Sequence, residues 1–163
     1  MATVGNIAVN VTDGTDAISG VTLTLDDDDT STATTDSDGE ATFEDMPNGT
    51  YTLTAEKSGY ATVTKSVTVA GADITVDIEM TATRTVSFTV NDGTDGIQSA
   101  TVTIDGDTEG AKTTGSSGGC TATLTDGEHE IVVTKEGYTD KTETITVDST
   151  HTSFTISLTA SSP

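Results

Sequence analysis

Apolar and polar side chains alternate along most of the chain with a period of two. Ile7, Val9 and Val11 start the pattern, followed by Val21, Leu23 and Leu25, then Ala41 and Phe43. Tyr51, Leu53 and Ala55 continue it, then Val67 and Val69, then Ile74, Val76, Ile78 and Met80. The second half repeats the scheme with Val86, Phe88, Val90, Val102, Ile104, Cys120, Ala122 and Leu124, and then with His129, Ile131, Val133, Ile145, Val147, Phe154, Ile156 and Leu158. Period two is the mark of strands with one buried face, and no stretch carries helical period. Between the runs stand Asp13-Gly14, Asp38-Gly39, Asn48-Gly49, Asp92-Gly93 and Asp126-Gly127. Gly takes the positive φ that tight turns require. Short strands between such turns predict an all-β fold of antiparallel sandwiches.

The halves are related. Asn10-Val-Thr-Asp-Gly-Thr-Asp-Ala-Ile18 recurs as Val90-Asn-Asp-Gly-Thr-Asp-Gly-Ile97, an offset of 79 from Asp13 to Asp92. Gly49-Thr-Tyr-Thr-Leu-Thr-Ala-Glu-Lys-Ser-Gly-Tyr60 recurs as Gly127-Glu-His-Glu-Ile-Val-Val-Thr-Lys-Glu-Gly-Tyr138, an offset of 78. Two homologous units follow, predicted as residues 1–80 and 84–160, each an immunoglobulin-like antiparallel β-sandwich of about seven strands. A linker of about three residues around Thr81–Thr83 predicts a semi-rigid tandem. At 75 to 80 residues each unit has a marginal core, so packing on a neighbour or within a homo-oligomer is compatible with the sequence.

Composition narrows the function classes. With 27 acidic residues against 6 basic ones the formal charge is -21. Binding to nucleic acid needs Lys and Arg to displace counterions, which six basic residues cannot do. No apolar run is long enough for a membrane-spanning helix, and a single Cys120 excludes a disulfide scaffold. Low apolar content with high charge would fit a disordered chain, but the regular alternation argues against it. About a quarter of the residues are threonine. Its branched Cβ suits a pleated strand and its hydroxyl suits water, which places it on exposed strand faces.

Thr35-Asp-Ser-Asp-Gly-Glu-Ala-Thr-Phe43 and Met46-Pro-Asn-Gly-Thr-Tyr-Thr-Leu-Thr-Ala-Glu-Lys-Ser-Gly-Tyr60 resemble the carboxypeptidase regulatory-like, transthyretin-like superfamily, which includes collagen-adhesin B-type and PEGA-type modules. The resemblance spans nearly the whole chain as two copies. It is weaker in the second, where Ser116-Ser-Gly-Gly119 replaces Asp-Ser-Asp-Gly and the proline is missing. It implies spacers, adhesive domains or decorations of cell surfaces and virions, and rarely catalysis. Some members carry a Lys isopeptide bond from the first strand. Here Ile7–Val11 and Val86–Val90 hold no Lys, and Lys57 and Lys135 stand in the Lys-x-Gly-Tyr turn, so no isopeptide bond is expected.

Several residues are candidate sites. Asp26 and Asp28, within the run Asp26–Asp29, and Asp36 and Asp38, in an Asp-x-Asp-Gly turn, offer oxygen ligands to Ca²⁺, the one cofactor considered. The EF-hand spacing is absent, and a solvated acidic loop is the preferred reading. Tyr60 and Tyr138 recur after Gly and offer a stacking surface for a glycan or a partner, or else cover the end of the sandwich. His129 stands where Tyr51 does and is expected on an inward row, whereas His151 is expected in an exposed turn. Cys120 reads as a small core residue. Neither a nucleophile elbow nor a phosphate loop is present, and no catalysis is expected.

Two roles fit. The first is a non-catalytic decoration or fibre protein of a virion surface, attached to a capsid or tail, because Met1–Ile7 has no character of a secretory signal and virions assemble without export. The second is an adhesive or spacer module of a bacterial or archaeal cell-surface protein. Partners are structural proteins or a glycan, with no nucleic acid and no membrane insertion. Met1–Asn6, ahead of the first strand, is a candidate attachment arm, and an exposed edge strand is the alternative.

Overall fold

The computed structural model describes residues 3–26 and 30–162. The chain divides into two compact units, Met1–Ala82 and Thr83–Pro163. The first contains β1 (Val4–Thr12), β2 (Thr22–Asp26), β3 (Ser31–Thr34), β4 (Glu40–Pro47), β5 (Gly49–Glu56), β6 (Val63–Val69) and β7 (Ile74–Glu79). The second contains β8 (Thr83–Asn91), β9 (Thr101–Ile104), β10 (Asp107–Thr113), β11 (Gly119–Thr125), β12 (Gly127–Thr134), β13 (Lys141–Val147) and β14 (Ser153–Ser157).

The two units share one topology. A three-stranded sheet, β4-β1-β7, goes with a four-stranded sheet, β3-β2-β5-β6; in the second unit these are β11-β8-β14 and β10-β9-β12-β13. Each unit is thus a sandwich of seven strands. Not every pairing is antiparallel, because β1 runs parallel to β7 and β8 parallel to β14. Hydrophobic alternation does not encode strand direction, so this pairing lay outside what period two could show.

Each core is built from the alternating positions. Ile7, Val9 and Val11 of β1 share one buried cluster with Val76 and Ile78 of the same sheet and with Leu23, Leu25, Tyr51 and Leu53 of the other. Val86, Phe88, Val90, Val102, Ile131, Val133, Ile145 and Ile156 make the other. Intervening threonines lie outward, as the exposed Thr22 of β2 and Thr50 and Thr52 of β5 illustrate. Several expectations need correcting in detail. β1 already begins at Val4, so Val4–Asn6 belong to the sheet and form no arm. Val4 pairs with Pro47 and Gly5 with Met46, while the Asn6 side chain accepts the Asp45 N–H. Thr3 precedes the strand and its hydroxyl accepts a hydrogen bond from Asn48 Nδ2 at 2.5 Å, while Met1 and Ala2 lie outside the described residues. Cys120 is only half-buried, because it sits on the edge strand β11.

The repeated Asp-Gly-Thr-Asp motif has a local cause. Asp13 Oδ1 accepts the N–H groups of Thr15 and Asp16 at 3.0 and 2.8 Å, and Asp92 Oδ1 those of Thr94 and Asp95 at 2.9 and 2.8 Å. Each carboxylate closes a turn on its own backbone, and those N–H groups hold both carboxyls below the usual range.

Candidate functional site

Three polar side chains are buried among the described residues: Thr35, Thr114 and His129. Thr35 Oγ1 donates to the Ile18 carbonyl at 2.7 Å and accepts the Val21 N–H at 2.9 Å. Thr114 does the same with Ile97 and Ala100 at 2.5 and 2.9 Å. Thr35 directly follows β3 and Thr114 directly follows β10, and each ties that end of its hairpin to the connection leading into β2 or β9. They were not singled out from the sequence, although their recurrence at an offset of 79 in Thr34-Thr35 and Thr113-Thr114 was a usable signal.

His129 lies inward at the end of the second sandwich. Its Nε2 meets the Thr125 carbonyl at 2.8 Å, and its Nδ1 meets Asp105 Oδ2 at 2.6 Å. Asp105 Oδ1 also accepts the Glu130 N–H at 2.8 Å. In the first unit, Tyr51 Oη donates to the Pro47 carbonyl at 2.7 Å, the same four-residue reach. The imidazole therefore replaces a phenol in one structural task, and its second nitrogen recruits the carboxylate. Burial pulls the His129 pKa down, but the hydrogen bond to Asp105 and the Thr125 carbonyl outweigh it and leave the pKa raised. The hydrogen bond from His129 holds the Asp105 carboxyl below its usual range, against a burial effect of opposite sign.

Of the predicted Ca²⁺ ligands, Asp26 lies apart from Asp36 and Asp38. Asp26 ends β2, whereas Asp36 and Asp38 follow β3 at the far end of the same hairpin, where Thr22 pairs with Thr34. Four residues of strand separate these ends by about 13 Å. Asp36 Oδ1 accepts the N–H groups of Asp38 and Glu40 at 2.9 and 3.0 Å, which makes it a turn-closing group. Asp28 lies outside the described residues. Among the described residues no group of three or more His, Cys, Asp or Glu is placed to hold a metal ion.

Tyr60 and Tyr138 are partly buried and pack against their cores. Each bridges its backbone to the end of its unit, Tyr60 to Ala82 and Tyr138 to Ala160. Tyr138 also lines an open groove with Ser99, Lys135 and Asp140, and a matching groove in the first unit is lined by Gly20, Lys57 and Thr62. Lys57 Nζ donates to the Ser19 carbonyl at 2.5 Å and Lys135 Nζ to the Ser99 carbonyl at 3.3 Å. Both lysines thus brace a loop. His151 is exposed in a turn with Asp148 at 2.9 Å. Hydrogen bonds from Thr150 and His151 hold Asp148 far below the usual carboxylate range. Burial pushes the Cys120 thiol up against a smaller pull from Lys112, the opposite of what a reactive thiolate requires.

Residues 6–81 match the model of the carboxypeptidase regulatory-like domain, and residues 97–162 match that of the PEGA domain. No curated protein matches the chain. Among solved structures, the chain is similar to the Bacillus anthracis TIE protein at 17% identity and a TM-score of 0.47, covering 97% of this chain and 34% of that one. It is similar to a streptococcal ancillary pilin at 18% identity and 0.47, covering 98% and 63%. A minor pilin of Streptococcus agalactiae is similar at 17% identity and 0.47, covering 98% and 97%. The chain spans about a third of the first of these proteins and less than two thirds of the second. With one domain match on each unit and the same seven-strand topology in both, the chain is a tandem pair of β-sandwich repeats, the first similar to the carboxypeptidase regulatory-like domain and the second to the PEGA domain.

Proposed function

We propose that the protein is a non-catalytic structural module of a cell surface, acting as a spacer or adhesive unit. The observation that carries this reading is where its polar chemistry goes. The buried Thr35, Thr114 and His129, the turn carboxylates Asp13, Asp36 and Asp92, and the loop-bracing Lys57 and Lys135 all hydrogen-bond to the scaffold itself. Side chains tied to backbone in this way hold a shape and are not poised to attack or protonate a substrate.

The two matched domain families support display on a cell. Attachment to a virion draws only on the strongly acidic charge, and stands second. Fractionation of the producing cells, with mass spectrometry of envelopes, cell interior and released particles, tests the reading. Recovery in the envelope, with cleavage by protease added to intact cells, is the expected result. Recovery in the cell interior alone overturns surface display, and recovery in purified particles replaces it with the virion form.

A further inference from the structure

The two units differ at the site that Phe43 fills in the first. Phe43 stands opposite Ile7 on β4, and its counterpart, opposite Val86 on β11, is Ala122. The second unit places its aromatic bulk two residue pairs along the same sheet, where Phe88 stands opposite Cys120 and stacks on Phe154 with ring centroids 6.1 Å apart. The β10–β11 side of that sandwich is left short of volume. A cleft of about 390 Å³ opens there, lined by Ile104, Ala122 and Leu124 together with Asp105, Asp107 and Lys112. Ile104 and Leu124 are partly exposed, whereas Leu25, the counterpart of Ile104, is fully buried. The pairing of β10 with β9 is interrupted between Asp107 and Lys112, both of which line the cleft.

Beside the cleft runs the edge strand β11. Edges are ordinarily protected by charge, and β4, β6, β7, β10 and β13 carry Glu44, Lys65, Asp77, Glu109 and Glu143. The seven residues of β11 include no charge, and the other uncharged edges, β3 and β14, have only four and five. An unprotected edge and an apolar cleft with a missing aromatic ring therefore coincide.

We propose that β11 and the adjoining cleft are a docking site for an extended segment of a partner protein. The segment adds as a strand to the free edge of β11 and places an aromatic side chain in the space that Phe43 occupies in the first unit. Main-chain hydrogen bonds give affinity and the ring gives selectivity. The addition brings the three-stranded sheet to four strands, equal to the sheet it packs on. Asp105 is already bonded to His129, so Asp107 is the carboxylate that meets the single Lys112 at the cleft, and the strongly acidic chain around them selects a segment with basic flanks. The site is independent of where the chain is displayed.

The test uses the full chain and a capped synthetic peptide, Lys-Thr-Thr-Phe-Thr-Thr-Lys, followed by backbone amide NMR. Saturable shifts confined to Gly119–Thr125 and the residues around Ile104, at one peptide per chain, are expected. Replacing the Phe of the peptide by Ala, or introducing Ala122→Phe, is expected to weaken binding at least tenfold. Ala122→Leu, a smaller filling, is expected to give an intermediate loss and serves if Ala122→Phe fails a circular dichroism check of folding. No binding at millimolar peptide, shifts centred elsewhere, or affinity indifferent to all three changes overturns the proposal. Self-association of the chain that Ala122→Phe abolishes also overturns it, because the occupant is then a second copy.

Discussion

At the scale of single residues, the exchange of Tyr51 for His129 turns a neutral contact into a titrating one. Folding holds the His129 pKa above its ordinary 6.5, so its contribution is complete below about pH 6.5 and is lost as pH rises through the raised value. Asp105 is held below its ordinary 3.8, so its contribution is present above that pH and is lost as pH falls through the lowered value. The pair therefore supports the second unit best between about pH 4 and pH 6. Amide exchange measured unit by unit should show the second unit more protected at pH 5.5 than at pH 8.5, after correction for intrinsic rates. His129→Tyr, which restores the residue of the first unit, should remove that difference. Thr35 makes a different demand, because its hydroxyl satisfies both a buried carbonyl and a buried N–H. Thr35→Val strands both and should cost about 1–3 kcal/mol, read from the urea midpoint, whereas Thr35→Ser should cost less.

At the scale of strands and turns, the acidic turn before β4 is fixed by Gly39. Its φ is +75°, and a Cβ there would meet the Val11 carbonyl oxygen at 2.5 Å. Gly39→Ala should therefore destabilise the first unit by about 1–3 kcal/mol, a loss that thermal unfolding would detect. Most of the strands were legible because one face is buried: Ile7, Val9 and Val11 could hardly alternate otherwise. β3 was harder to see, since Ser31–Thr34 contributes only Ala33 to the apolar pattern. The pairing of first and last strands was hidden, because alternation carries no direction. Of the candidate site residues, the inward place of His129 was readable from its alignment with Tyr51, but its carboxylate partner was not. Asp105 reaches it across 24 residues of sequence, and only the pairing of β9 with β12 joins the two. The shortage of volume at Ala122 was equally invisible, because alanine in an alternating run reads as ordinary core.

At the scale of the whole molecule, charge is unevenly shared. Residues 1–80 carry a net charge of -13 and residues 81–163 a net charge of -8. Self-repulsion weakens as salt screens it, so raising NaCl from 10 to 150 mM should increase amide protection more in the first unit than in the second. Equal gains would show that the excess carboxylates are too dispersed to matter. Because Asp36 closes its own turn and Asp26 lies at the other end of the hairpin, millimolar Ca²⁺ should shift the melting temperature no more than the same concentration of Mg²⁺.

The parallel pairing of the outer strands has a mechanical consequence. Six residue pairs, from Ile7 with Ile74 to Thr12 with Glu79, join β1 to β7. Because the two strands run the same way, the chain enters a unit at one end of this seam and leaves at the other. Tension between the termini therefore slides β1 along β7 and loads the seam's hydrogen bonds together in shear, where an antiparallel hairpin would unzip them one at a time. Stretched singly, each repeat should hold as a unit and then yield in one abrupt step.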